Sequence, residues 1–298
     1  FPLPNARPLH SAPQMEPSAG TLKLHDGLAI LSLRAPQARV LTAVFDAVAE
    51  IAVILRSVGP EDADAGAGSS GLNAFGDQQL KADLAADTVM FRKLRECGAV
   101  QTASSEENTA MEPMGGTGFS VAFDPVDGSS IYPANWAVGT IFGVWPGSTL
   151  LGRTGKEQVA AGFSVYGPRT VLVLARPDGG GTVVEEYTLL GGGWVLTRSG
   201  LRIPESRKTF APANLRAAAG NASYQELMAA WMGEQYTLRY SGGLVPDVYH
   251  IFAKAPPPPP SPLPCHATAT LLMQYSLAEQ HFSASGNMHR GGIAAKHF

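Results

Sequence analysis

Between Phe119 and Thr197 the sequence passes through one short β-rich segment after another, and this succession restricts the fold more than any other feature. Phe119–Phe123, Trp136–Trp145, Val159–Tyr166, Thr170–Ala175, Thr182–Leu190 and Trp194–Thr197 are rich in apolar, β-branched and aromatic residues, with Gly or Pro turns between them. That is the pattern of an antiparallel meander. Ahead of it, Val40, Leu41, Val44, Val48, Ile51 and Leu55 recur at helical spacing and predict a helix over 37–58. The Gly/Ser/Asp-rich stretch Gly59–Gly71 reads as a loop. Ala82–Glu96 reads as a second helix with Asp83 as its N-cap. Beyond the meander the pattern predicts a helix over Ser223–Gly233, a strand over Tyr236–Tyr240 and a helix over Pro246–Lys254. Helices flanking many strands make a layered α/β protein.

Charge narrows the function classes. The 298 residues carry 22 Lys+Arg against 25 Asp+Glu, without basic runs, so nothing supports broad contact with nucleic acid or with an anionic membrane surface. Two long uncharged stretches, Trp136–Gly152 and Ala255–Ala278, are broken by Gly or crowded with Pro, and neither reads as a spanning helix. Cys97 and Cys265 lie far apart without a C-x-x-C pattern, so they form neither a disulfide scaffold nor a zinc site. Residues 1–20 are Pro-rich with the single acid Glu16, a leader compatible with a targeting remnant or a flexible terminus. Five prolines at Pro256–Pro260 have polyproline II linker composition.

The chemistry gathers where acids stand at the edges of elements: Asp77 and Asp83, then Glu106 and Glu107, then Asp124 and Asp127 in F-D-P-V-D-G-S-S. The strand at Phe119–Phe123 is expected to stop at Asp124-Pro125, since proline ends regular pairing. Its carboxyl end is where open α/β sheets place ligands. Pro125 would fix the backbone so that Asp124, Asp127 and the Val126 carbonyl face one site. Such hard oxygen ligands suit Mg²⁺ or Mn²⁺. Gly128, Ser129 and Ser130 then offer backbone N–H groups and hydroxyls suited to a phosphate. Taken singly, each acid reads more readily as solvated surface and G-S-S as a mere turn; the ordered string carries the argument.

That string resembles the fructose-1,6-bisphosphatase and inositol monophosphatase superfamily, whose shared mark is D-P-x-D-G-[S/T]. Within it the likeness is strongest to the chloroplast sedoheptulose-bisphosphatase branch, in F-G-D-Q-Q-L at 75–80, G-F-S-V-A-F-D-P-V-D-G-S-S-I at 118–131, V-G-T-I-F-G-V-W-P-G at 138–147, V-Y-G-P-R-T at 165–170 and Y-T-L-R-Y-S-G-G-L-V-P-D-V at 236–248. The resemblance implies a layered αβαβα sandwich, with an amino lobe over 21–206 and a carboxyl lobe over 207–298 that diverges after 254. It implies Mg²⁺-dependent removal of the 1-phosphate of sedoheptulose 1,7-bisphosphate, a Calvin-cycle step in the chloroplast stroma, by a homodimer. Asp77, Glu106, Asp124, the Val126 carbonyl and Asp127 match the family's metal ligands. Asp83 and Glu107 match the pair that orients and deprotonates water. Gly128, Ser129 and Ser130 match the scissile-phosphate site, while Asn214, Arg239 and Tyr240 match the grip on the distal phosphate.

Two departures qualify the likeness. The family carries K-L-R-L-L-Y-E farther on, where this chain has Thr268, Thr270 and Gln274 in place of the Lys, Arg and Glu. Gly66 and Gly71 stand where land-plant members have the cysteine pair through which thioredoxin acts, so that control is not expected. Alternatives therefore remain: fructose-1,6-bisphosphatase activity, or a catalytically impaired relative or fragment.

Overall fold

Six strands of the meander lie side by side in chain order in the computed structural model of the chain. It describes residues 35–57, 80–178, 181–191, 193–203, 208–212, 215–253 and 293–294. The 1–20 leader, the 59–71 loop, the proline run, Cys265 and the 268–274 segment lie outside them. The strands are β1 (Val100–Ser105), β2 (Glu112–Pro113), β3 (Phe119–Asp127), β4 (Val138–Pro146), β5 (Ala160–Tyr166), β6 (Thr170–Asp178), β7 (Gly181–Leu190) and β8 (Gly193–Ser199). They form one sheet in the order β2-β1-β3-β4-β5-β6-β7-β8. β3 to β8 pair antiparallel throughout, while β1 runs parallel to β3.

Helices cover both faces, which explains why β4 and β5 are buried along almost their whole length. On one face lie α1 (Ala35–Ser57) and α2 (Lys81–Glu96). Val44, Phe45, Val48, Ile51, Met90 and Leu94 pack there against Phe142, Leu172 and Leu174. On the other face, Val245, Val248, Ile251 and Phe252 of α4 (Leu244–Ala253) meet Ile141, Phe163 and Val173. A second, smaller sheet takes the order β10-β9-β11, from β9 (Thr209–Ala211), β10 (Thr237–Leu238) and β11 (Ile293–Ala294). There Phe210 packs on Met228 and Trp231 of α3 (Ala222–Gly233).

Two strand expectations need correction. β3 does not stop before Pro125 but continues to Asp127, with a register shift between Asp124 and Asp127. A bulge accommodates the proline. The strand expected over Tyr236–Tyr240 shrinks to Thr237–Leu238, registered with Thr209 and Phe210 of β9, and the pairing ends where the Arg239 N–H donates to the Phe210 carbonyl.

Candidate active site

Parallel pairing between β1 and β3 sets the site. Ser105, the last residue of β1, is registered with Phe123, so Glu106 stands just past the end of β1 level with Asp124, which is still within β3. The Glu106 N–H donates to the Phe123 carbonyl at 3.1 Å. A tight turn fixes the loop beyond it: Ser105 N–H donates to the Asn108 carbonyl, and Asn108 N–H to Ser105 Oγ, both at 2.9 Å.

The first turn of α2 lies against this edge. Asp83 is not the N-cap, as the sequence suggested; Leu80 holds that position. Asp83 sits three residues later and its Oδ2 accepts the Leu80 N–H at 2.9 Å, so it caps from inside the first turn. It is buried, and Oδ1 makes no hydrogen bond among the described residues. Burial, then the charges of Glu107 and Glu106, push its pKa up to about 7 against the pull of the Leu80 N–H and the nearby Ser129 hydroxyl. Asp83, Glu106, Glu107 and Ser129 thus share one electrostatic neighbourhood. One turn along α2, Asp87 is raised to about 6 by burial, opposed by the Ser105 hydroxyl. Sequence reasoning passed over Asp87, although its i+4 spacing from Asp83 puts it on the same buried helix face.

The bulge in β3 shapes the second half. Asp124, buried, accepts the Val126 N–H on Oδ1 at 2.9 Å. The Pro125 carbonyl accepts from Thr140 Oγ1 at 2.8 Å, and Thr140 lies 2.6 Å from the Tyr166 hydroxyl. Asp127 reaches across to α4: Oδ1 accepts the Leu244 N–H at 3.0 Å and Oδ2 the Val245 N–H at 2.6 Å. These are first-turn donors that have no partner within their own helix, and their end of the helix carries the positive end of its dipole. The approach requires glycine at 139, where a Cβ would lie 2.3 Å from Val245 Cγ1 and 2.6 Å from the Ser164 carbonyl oxygen.

Gly128 takes φ +86°, a left-handed conformation that favours glycine, and turns the chain into a 3-10 segment over Ser129–Ala134. Ser129 is half-buried and Ser130 exposed. Arg239 and Tyr240 are exposed after β10, and Arg239 Nη1 donates to the Leu238 carbonyl at 2.8 Å. Asp77 and Asn214 lie outside the described residues.

No three His, Cys, Asp or Glu side chains among the described residues converge as a metal cage. The donor chemistry still fits a hard divalent cation. Every candidate is an oxygen donor, and the buried Asp83 Oδ1 is without a hydrogen bond beside two further carboxylates. Among the described residues no helix is long and apolar enough to cross a membrane.

Comparison with known proteins adds a second line of information. The family model described as Fructose-1-6-bisphosphatase, N-terminal domain, matches residues 34–199, and that of the C-terminal domain matches residues 203–255. The chain is 49% identical over 189 residues to a chloroplastic sedoheptulose-1,7-bisphosphatase of Chlamydomonas reinhardtii, covering 63% of this chain and 48% of that protein. A class 1 fructose-1,6-bisphosphatase of Syntrophotalea carbinolica is 35% identical over 189 residues, with 61% and 56% covered. The chain spans about half the length of the curated relatives it matches. A crystal structure of a Toxoplasma gondii protein assigned as a sedoheptulose-1,7 bisphosphatase superposes with TM-score 0.68 at 34% identity, covering 78% of this chain and 76% of that one. Leishmania major fructose-1,6-bisphosphatase in its holo form gives 0.69 at 25%, covering 78% and 77%.

Proposed function

The chain belongs to the fructose-1,6-bisphosphatase family, and from that premise we propose that it is a Mg²⁺-dependent sugar bisphosphatase, converting sedoheptulose 1,7-bisphosphate and water to sedoheptulose 7-phosphate and phosphate. The observation that carries the reading is the end of β1, where Glu106 and Glu107 stand by the buried Asp83 and where Ser105 is in register with Phe123, the residue before Asp124.

In this reading Asp77, Glu106, Asp124, Asp127 and the Val126 carbonyl would hold the metal. When bound, divalent cations supply charge neutralisation at the phosphoryl oxygens and at the leaving alkoxide. Asp83 and Glu107 hold the attacking water and take its proton while the water oxygen bonds to phosphorus and the phosphorus–sugar oxygen bond breaks. A carboxylate raised to about 7 is matched to that task near neutral pH. Gly128, Ser129 and Ser130 orient the scissile phosphate. Asn214, Arg239 and Tyr240 bind the distal phosphate, with the Arg239 guanidinium as a charged fork. Arg239 stands five residues before Leu244, which bonds Asp127, so the chain between them reaches at most about 18 Å.

Homodimer formation, a chloroplast location and the absence of thioredoxin control through positions 66 and 71 belong to the same proposal. A second reading, fructose 1,6-bisphosphate as the preferred substrate, is supported by the likeness to bacterial relatives with that name. Thr268, Thr270 and Gln274 favour a third, an impaired relative.

Phosphate release by the full chain decides among them, with both bisphosphates side by side in millimolar Mg²⁺ and in EDTA. Faster Mg²⁺-dependent release from the sedoheptulose ester supports the proposal, and the reverse order supports the second reading. Release from neither, with Mn²⁺ also tried, overturns the enzymatic reading. A melting temperature unmoved between EDTA and Mg²⁺ would overturn the metal assignment, since a cation bound only by the folded chain must raise it.

A further inference from the structure

The β3 bulge leaves a hydrogen-bonding problem inside a covered sheet. Asp124 is registered with Ile141 and Asp127 with Gly139, so Pro125 and Val126 together face Thr140 alone. Pro125 has no N–H, and the shift removes its carbonyl from the ladder, yet a buried carbonyl needs a donor. Thr140 Oγ1 supplies it at 2.8 Å. A hydroxyl has one proton, and Thr140 has given its own to the carbonyl. The 2.6 Å contact with Tyr166 therefore runs from the phenol to Thr140. Both residues are buried, at 0% and 8% exposure, and they lie on the face that packs against α1 and α2. Burial holds the Tyr166 phenol well above its usual pKa range, so it keeps the proton the chain of bonds requires.

We propose that Thr140 and Tyr166 are positioning residues for the acidic bulge: the Tyr166–Thr140–Pro125 hydroxyl chain holds residues 124–127 in the conformation that presents Asp124, the Val126 carbonyl and Asp127. The proposal rests on the reading of that segment as part of the bisphosphatase centre. Neither hydroxyl acts on substrate; both act through the backbone of Pro125.

The test uses the full chain with Thr140→Val, Tyr166→Phe, the double variant and Thr140→Ser. Hydrogen exchange of the Val126, Asp127 and Gly128 amides reads the bulge directly, and kcat and KM for the bisphosphate read its consequence. Thr140→Val and Tyr166→Phe should each speed exchange at 126–128 and lower kcat about tenfold with KM within about twofold, since small misplacements of reacting groups act on the chemical step. Amides of α3 and β8 should be unaffected. The double variant should be no worse than Thr140→Val, because one chain of bonds is broken once, and Thr140→Ser should recover both readouts. Unchanged exchange at 126–128 in both single variants overturns the proposal. So does a loss that spreads equally over α3 and β8, or a Thr140→Ser variant as impaired as Thr140→Val. Should the parent hydrolyse neither bisphosphate, the functional reading fails by itself, and the exchange comparison still decides the role of the two hydroxyls.

Discussion

Replacing Asp127 by Asn separates two roles that a cluster of acids can have. If Asp127 serves only as one of several mutually repelling carboxylates, removing its charge in the absence of metal should relieve repulsion and stabilise the fold. The geometry demands the opposite. Both oxygens of this buried side chain accept first-turn N–H groups of α4, at 3.0 and 2.6 Å. An Asn can accept only one of them, and its NH₂ then faces the other donor. One bond is lost and the other falls from charge-assisted to neutral, about 2–3 kcal/mol together. The lost charge at the helix N-terminus adds about 0.3–1 kcal/mol. The total, about 2–4 kcal/mol, corresponds to a melting temperature lowered by roughly 5–15 °C for a chain of this size. Thermal and urea unfolding of the full chain in EDTA measure it, and hydrogen exchange should show the first turn of α4 loosening before β5 and β6. An equal or higher melting temperature for Asp127→Asn in EDTA would refute the capping argument.

Three further outcomes follow from the same geometry. Asp124→Asn and Glu106→Gln should reduce phosphate release on the order of a hundredfold or more. Their circular dichroism and melting in EDTA should stay close to the parent's, because the amide oxygen of the Asp124→Asn variant can still accept the Val126 N–H and Glu106 is held through its backbone; retained activity would remove these residues from the metal assignment. Gly139→Ala should destabilise by about 1–3 kcal/mol, as overpacking does, and Val245→Ala in the same background should recover only part of this in urea titrations, since the Ser164 carbonyl stays 2.6 Å from the new Cβ. Asp87 has a folded pKa of about 6, above the ordinary 3.8 of an aspartate, so the folded state binds its proton more tightly and loses stability as pH rises from about 4 to 7. Asp87→Asn removes that slope: relative to the parent it should gain up to roughly 3 kcal/mol between those pH values in EDTA, and a constant difference between the two proteins would contradict it.

What the sequence determined by itself was whatever depends on neighbours along the chain. Runs of β-branched and aromatic residues between turns placed the meander strands, apolar 3.6-residue spacing placed α1 and α2, and the string of acids singled out Asp83, Glu106 and Glu107, whose charges are felt together in the structure. Locally derived stops were less secure. Pro125 reads as the end of a strand because proline cannot donate to a ladder, yet β3 runs through it, since a threonine fifteen residues away offers its carbonyl a donor. Asp83 reads as an N-cap from its place before an apolar run, yet the buried Leu80 takes that position and leaves Asp83 with one oxygen on the helix and one without a hydrogen bond, close to the charges of Glu106 and Glu107. The tertiary structure alone decided that Asp127 grips α4, more than a hundred residues later, and that Gly139 is the gap that lets Val245 approach. A donor and an acceptor so far apart leave no periodicity for the sequence to display, because their meeting is set by how the sheet and helix pack rather than by spacing along the chain.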